Sequence, residues 1–306
     1  MIPNFPDFKP IELNDKDEIE SFTKKFAPYS DFNFASMWSW DVKEEMRVSQ
    51  LNGNLVVRFT DYLTGEPFYS FLGSNKPTET ADALLTLAEK EGIPLHLKLV
   101  PEDSAKEIDP TRFKIEEDRD HFDYILDCEK LMSYPGHELR GHASFYRRFV
   151  EEHGEKLEIK VLDIDNQDHQ NGIQLLNAIW VNNKKDEGKD QFTDLSIEDL
   201  AIKKFLNINK EFKHLFLVGV FNGENMIAFS INEIGEGDVA TCHFMKANNT
   251  YKGIYSYLFS ECGKMLASYS KKYVNIEQDL GLKNLRQSKK SYEPAHFLKK
   301  YIIQRV

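Results

Sequence analysis

Apolar positions recur along this chain in two rhythms, one near every third or fourth residue and one at every second, and the changes between them mark its elements. The first helical rhythm covers Asp15 to Phe26. Short alternating runs at Arg47 to Leu51, Asn54 to Thr60 and Pro67 to Phe71 predict strands, set apart by Asn52-Gly53, a two-residue hairpin turn, and by Thr64-Gly65. Leu84, Leu87 and Ala88 share one face of a helix from Glu79 to Glu91, opened by Pro77-Thr78 and stopped by Gly92, and Pro94 to Val100 alternates again as a strand. From Pro101 to His121 charge rises and periodicity is lost. That stretch is read as a domain boundary, with domains at 1–115 and 116–306, and His121 as an exposed linker histidine.

The second half opens with a strand from Phe122 to Asp127 and a helix from His137 to Glu152, whose apolar stripe is Leu139, Phe145, Phe149 and Val150. A strand at Lys156 to Leu162 follows, then helices from about Gln167 to Asn183 and from Ser196 to Phe212, the latter with Ser196 as N-cap and Asp199 three residues on. The polar run KKDEGKDQ between them reads as a mobile loop. Three consecutive strands, LFLVGVF, MIAFSINEI and VATCHFM, are joined by Asn222-Gly223 and by Gly235 with Gly237. Ile254, Leu258, Cys262, Met265, Leu266 and Tyr269 then repeat at helical spacing behind Gly253.

A length of 306 residues exceeds what one core usually serves, and 41% hydrophobic content with 22 Phe and 13 Tyr describes a folded globular chain of two domains. No apolar run reaches the roughly 18 residues of a membrane helix, and Met1 to Pro10 lacks the basic start and apolar middle of a secretory signal, so a soluble cytoplasmic protein is expected. Cys128, Cys242 and Cys262 form no Cys-x-x-Cys metal spacing and read as reduced, buried thiols. A net charge of -11 argues against indiscriminate nucleic-acid binding. Yet from Lys283 to Val306 seven basic residues (Lys283, Arg286, Lys289, Lys290, Lys299, Lys300, Arg305) face the single acid Glu293, a local +6 that can hold phosphates or form a solvated helix face.

The densest polar chemistry lies in KKYVNIEQDLGLKNLRQSKKSYEPAHFLKKY, Lys271 to Tyr301. Val274 and Ile276 alternate with Asn275 and Glu277 as a short strand that stops at Gly281, and Leu282, Leu285 and Arg286 fit a turn and a half of helix. Glu277 and Asp279 therefore sit where a strand opens into a loop, candidates for a general base and an orienting group. The competing reading is that they cap the next helix and pair with Arg286 or Lys283. His243 beside Cys242 invites a Cys-His reading, but strand neighbours point to opposite faces, which favours a structural histidine.

The run VNIEQDLGLKNLRQSKKSYEP, ending in FLKKYII, resembles the C-terminal signature of the DUF2156 family, which contains the soluble domain of phosphatidylglycerol lysyltransferase. SDFNFASMWSW, Ser30 to Trp40, is similar to the family's N-terminal pattern, and FDYILDCEKLMSYPGHEL, Phe122 to Leu139, to its central strand and helix entry. Where many relatives carry a basic Lys-Arg-Asn run, this chain has His142, Ala143 and Ser144. The resemblance implies an α+β chain of tandem GNAT-like domains with mixed sheets, as in Fem-type aminoacyltransferases, and transfer of an acyl or aminoacyl group.

Such a transfer needs a base for the acceptor's proton and a donor for the tetrahedral oxyanion. With the resemblance, Glu277 is the candidate base, Arg286, Lys289 or Tyr292 the oxyanion donor, and Asn275 or Asp279 the group that holds the substrate amine or fixes Glu277. Lys246 to Gly253, KANNTYKG, occupies the GNAT phosphate position, but of that pattern only Gly253 is present; Lys252 and the helix N-terminus remain able to hold one phosphate, with Lys246 at the start of the run. The leading expectation is an aminoacyl-tRNA donor. A coenzyme A thioester is the alternative, and a catalytically silent binding module is the third reading. The acceptor, whether small molecule, peptide or lipid headgroup, is left open.

Overall fold

The computed structural model describes residues 1–61, 64–186, 195–208, 212 and 214–306. The loop KKDEGKDQ lies largely outside the described residues, as does the Ser196 side chain. In chain order the elements are β1 (Lys9–Pro10), α1 (Lys16–Thr23), α2 (Phe34–Trp40), β2 (Arg47–Leu51), β3 (Asn54–Thr60), β4 (Pro67–Leu72), α3 (Pro77–Glu91), β5 (Leu97–Pro101), α4 (Glu102–Ala105) and β6 (Phe113–Glu117). Then come β7 (Asp123–Asp127), α5 (Cys128–Ser133), α6 (Arg140–His153), β8 (Leu157–Leu162), α7 (Gln167–Asp186) and α8 (Leu195–Leu206). The chain ends with β9 (Leu215–Asn222), β10 (Asn225–Glu233), β11 (Val239–Ala247), α9 (Ile254–Ser268), β12 (Tyr273–Asn275), α10 (Lys283–Lys290), β13 (His296–Leu298) and β14 (Lys300–Arg305).

By contacts the chain divides into one unit of Met1–Asp123, Gln278–Gly281 and Phe297–Val306 and another of Tyr124–Glu277 and Leu282–His296. Two mixed sheets are present, ordered β1-β2-β3-β4-β5-β14-β6 and β13-β7-β12-β11-β10-β9-β8. They are wired alike. Each has an antiparallel meander (β2-β3-β4 and β9-β10-β11), a helix (α3 and α9), then a strand parallel to the meander's last (β5 and β12). An antiparallel strand follows in each, β14 beside β5 and β7 beside β12. The helical crossover joins parallel neighbours, which a tight turn cannot do. α3 shows how local chemistry sets it: Pro77 opens it, Gly92 ends it in the left-handed region, and Ala81, Leu84, Leu85 and Ala88 bury its inner face against Val56, Phe71, Leu97 and Ile303.

Three features differ from the sequence reading. The charged stretch taken for a linker holds β6, an edge strand whose alternate residues are solvated, and His121 there is half-buried with Nδ1 2.7 Å from Asp118. The aromatic-rich SDFNFASMWSW contains α2, whose N-cap Asn33 accepts from the Ser36 N–H. The basic C-terminal stretch is divided between the two units. Lys283, Arg286, Lys289 and Lys290 belong to the second unit, whereas Lys299, Lys300 and Arg305 belong to the first. There Lys299 pairs with Glu117 at 2.6 Å and Arg305 with Asp82 at 2.9 Å. Among the described residues, no helix is long and apolar enough to cross a membrane.

Lys300 is fully buried. Its Nζ lies 2.8 Å from Asp123 Oδ1 and pairs with Asp31, while the Ser30 hydroxyl donates to Asp123 Oδ1 at 2.6 Å and Gln278 Nε2 to Asp31 Oδ1 at 3.2 Å. Burial would depress the ammonium, yet the two carboxylates hold its pKa above the ordinary value. Burial likewise lifts the Asp31 carboxyl, against the pull of Lys300.

Removing one partner of such a cluster strands buried charge. Lys300→Met is expected to destabilise the first unit by about 3–5 kcal/mol at pH 7 in urea unfolding. The deficit should shrink as pH falls into the range where the Asp31 carboxyl, lifted by burial, takes up its proton, and Asp123→Asn added to Lys300→Met should recover part of it. A variant as stable as wild type at pH 7 would show that the cluster contributes no net stability.

Candidate active site

In the second sheet β11 and β12 run parallel only over Val239–Thr241 against Tyr273–Asn275. Beyond that point β11 continues to Ala247 against β10, while the chain leaves β12. Parallel strands that part at their carboxyl ends open the crevice in which α/β sheets bind ligands. On the β11 arm, Ile231 pairs with Phe244 and Asn232 with Cys242, so His243 is the extra residue of a bulge. A bulge re-aims a side chain that strict alternation would send elsewhere.

Glu277 lies just past the end of β12. Its backbone is left-handed, φ 60°, a conformation that costs a non-glycine residue about 1 kcal/mol or more and is held by its surroundings. Two contacts hold it: the Glu277 N–H donates to Asn275 Oδ1 at 2.7 Å, and the Tyr124 N–H donates to the Glu277 carbonyl at 3.2 Å. Asn275 is itself fully buried. His243 sits between two carboxylates, Nε2 3.1 Å from Glu233 Oε2 and Nδ1 3.6 Å from Glu277 Oε1. Burial pulls the imidazole pKa down, but the hydrogen bonds and charge of Glu233 and Glu277 outweigh it and lift the pKa to about 9. The ring is therefore an imidazolium at neutral pH, packed against Phe205 at 5.2 Å between ring centres.

The other candidate residues are dispersed around or away from this cluster. Lys289 donates from Nζ to the Ile276 carbonyl and lies 5.9 Å from the Tyr124 ring centre, beside the segment that carries Glu277. Arg286 is half-buried on the same helix α10. Neither Glu277 nor Asp279 caps that helix: its N-cap is Leu282, without a side-chain cap bond. Asp279 belongs to the first unit, where Oδ1 accepts from the Gly281 N–H at 2.9 Å and Oδ2 lies 3.5 Å from Arg119. Tyr292 is buried in an aromatic stack, 4.0 Å from His142 and 4.3 Å from Phe259 between ring centres, and burial raises its hydroxyl pKa.

At the start of α9 the arrangement is tightly packed. Lys246 is buried, with Nζ 2.6 Å from Glu198 and 3.5 Å from the centre of the Trp180 ring, whereas Lys252 is exposed. Gly253 has φ 92°, and a Cβ there would lie 2.5 Å from the Phe145 carbonyl oxygen, so close packing of α6 on α9 already requires glycine. The cysteines are buried, and desolvation pushes Cys128 and Cys242 up to about 12. Cys242 Sγ lies 3.6 Å from Ser230 Oγ while His243 faces carboxylates, so no Cys-His dyad forms.

Sequence reasoning left out Glu233, and it read His243 as structural without its two carboxylate neighbours. The one available signal was that Asn232 and Glu233 are consecutive polar residues in a strand, where alternation would make one of them apolar.

The model of the family described as "Phosphatidylglycerol lysyltransferase, C-terminal" matches residues 23–304. Among solved structures, a conserved protein of unknown function from Bacteroides thetaiotaomicron is 25% identical, with full coverage of both chains and a TM-score of 0.83. L-PGS from Bacillus licheniformis is 14% identical with a TM-score of 0.62, covering 100% of this chain and 94% of its own. FemX is 10% identical with a TM-score of 0.59, covering 98% and 97%. The chain spans 55% of the length of the curated relative it matches, an uncharacterized protein of Mycoplasmoides gallisepticum. At such identities the last two structures establish a shared fold, the Fem-type and GNAT-like one.

The imidazolium predicts a pH signature in stability. Its folded pKa of about 9 exceeds the ordinary 6.5, so its contribution is fully present below pH 6.5 and is lost as pH rises through 9. His243→Gln should flatten that part of the stability curve, as measured by denaturant midpoints between those limits; an unchanged slope would mean that His243 is neutral in the fold.

Proposed function

The chain belongs to the phosphatidylglycerol lysyltransferase C-terminal family, and from that premise we propose that it is an aminoacyl transferase taking its donor group from a charged tRNA. The observation that carries this reading is the Glu277 carboxylate, largely buried but still reached by solvent, at the point where β11 and β12 part, backed by a buried imidazolium. An aminoacyl ester is already activated, so the protein's task is positioning, proton transfer and charge stabilisation.

In the proposed reaction Glu277 accepts the proton of the acceptor amine or hydroxyl as its lone pair attacks the ester carbonyl carbon. The C=O electrons move to oxygen, and Lys289 and Arg286 of α10 are the cations offered to that oxyanion. Collapse re-forms the carbonyl and breaks its bond to the terminal ribose oxygen, which leaves with the proton from Glu277. Asn275 serves by holding the Glu277 backbone through the 2.7 Å hydrogen bond. Helix α10 carries Lys283, Arg286, Lys289 and Lys290 and no acid, a charge pattern suited to a phosphate backbone. A coenzyme A thioester fits less well, because the Phe145 carbonyl oxygen that crowds Gly253 would face an incoming phosphate.

Two measurements test the reading. Binding of aminoacyl-tRNA should weaken steeply as salt rises and fall further in Lys283→Glu with Lys290→Glu. Affinity for acetyl-coenzyme A with none for tRNA would favour the thioester, and binding of neither would favour a silent module. Glu277→Gln should keep donor binding while slowing transfer roughly 10²- to 10⁴-fold; a wild-type rate in a folded variant removes Glu277 from the chemistry.

A further inference from the structure

The second sheet ends on β8, a strand of six residues, Leu-Glu-Ile-Lys-Val-Leu, and among the described residues no strand pairs with its outer side. The backbone groups left over there follow from the ladder with β9. The Gly223 N–H donates to the Lys156 carbonyl at 3.0 Å, in step with Leu157 opposite Asn222, so Glu158, Lys160 and Leu162 turn their backbone groups to β9. Ile159 and Val161 therefore present theirs outward, together with the Leu157 carbonyl; the Leu157 N–H is taken by the Gly154 carbonyl. Natural sheet edges are blunted by a proline, a bulge or charged side chains. β8 has no proline, its pairing with β9 runs without a register shift, and its one lysine is neutralised along the same edge, with Lys160 Nζ 2.9 Å from Glu158 Oε2. Val161, on the same strand, is 57% exposed.

We propose that β8 is an interface between two copies of this chain, pairing antiparallel with itself about a two-fold axis at Ile159. The occupant is read from the strand's own sequence. In that register Ile159 faces Ile159 of the second copy, Leu157 faces Val161 and Glu158 faces Lys160, and the last two contacts occur twice, as a self-complementary interface requires. Apolar side chains oppose apolar ones, and each carboxylate opposes an ammonium. The outward groups match as well: the Ile159 N–H meets the Ile159 carbonyl, and the Val161 N–H meets the Leu157 carbonyl, each in both directions.

Other pairings lose this match. An axis at Val161 sets Lys160 against Leu162, and one at Leu157 sets Ile159 against Glu155. At the edge of the first sheet, an axis at Ile115 of β6 sets the buried Phe113 against Glu117, whose carboxylate is held by Lys299. Pairing through β8 joins the second sheets of two copies into one. Strands β9, β10 and β11 lie between β8 and β12, so the interface touches none of the residues around Glu277.

Sedimentation velocity across a protein concentration series is expected to show a reversible monomer–dimer equilibrium, weak because one strand edge is a small interface. Glu158→Lys sets lysine against lysine and Lys160→Glu sets glutamate against glutamate, so each variant alone should raise the dimer Kd roughly tenfold or more. An equimolar mixture of the two should dimerise as wild type does, because every opposed pair is again of opposite charge. The double variant Glu158→Lys with Lys160→Glu should do the same. A general loss of stability would give no such recovery. Amide hydrogen exchange on the wild-type protein needs no variant: the Ile159 and Val161 N–H groups should exchange more slowly as concentration rises. A wild-type protein that stays monomeric throughout, or exchange at Ile159 and Val161 that ignores concentration, overturns the proposal. So do single variants that dimerise as readily as wild type, which would place the contact on another surface, and single variants that stay monomeric when mixed.

Discussion

A charge withdrawn from water must meet its counter-charge inside the protein, and in this chain that requirement gathers segments far apart in sequence. Lys300 can be buried only because Asp31 and Asp123 converge on its ammonium, with Ser30 and Gln278 satisfying the remaining oxygens. His243 can be buried as a cation only because Glu233 and Glu277 flank it. The consecutive residues Glu277 and Gln278 thus answer to different clusters and belong to different units. The left-handed backbone at Glu277 marks where the chain passes from one to the other.

What could be read from the sequence were elements whose pattern is local: the meanders β2-β3-β4 and β9-β10-β11, helix α9, and the Glu277 segment with its unusual polarity. What could not be read depends on partners remote in the chain. β14 resembles a solvated basic tail because Lys300 is a surface residue everywhere except opposite Asp31 and Asp123. β6 alternates charges rather than apolar residues because it lies at the sheet edge, with β14 on its inner side. The partners of His243 were hidden for a subtler reason: alternation along a strand separates it correctly from Cys242, but no periodicity reports that a bulge brings it to Glu233 and Glu277.

The two sheets share one wiring but not one chemistry. In the second, the parallel pair opens beside Glu277 and His243. In the first, parallel pairing is reduced to Tyr69 against Leu97, and the turn after β4 is filled from within: Asn54 Oδ1 accepts from the Asn75 N–H at 3.2 Å and its amide donates to the Asn75 carbonyl at 2.7 Å. Gly73 is needed there because a Cβ would lie 2.1 Å from Asn54 Oδ1. A side chain that saturates a loop's own donors and acceptors leaves that loop with stability in place of ligand contacts.

The placement of β14 between β5 and β6 has a further consequence for how the molecule comes into being. By Glu117 the chain has left the ribosome with the strands on either side of a missing one, and the missing strand is made only after the whole of the second unit. Until Lys300 to Arg305 emerge, β5 and β6 present open edges to solvent, and Asp31 and Asp123 lack their cation. In the second sheet the inner strand β12 also follows both of its neighbours, β7 and β11, but only helix α9 separates it from β11. The first unit, begun first, therefore closes its sheet only after the second unit has been made.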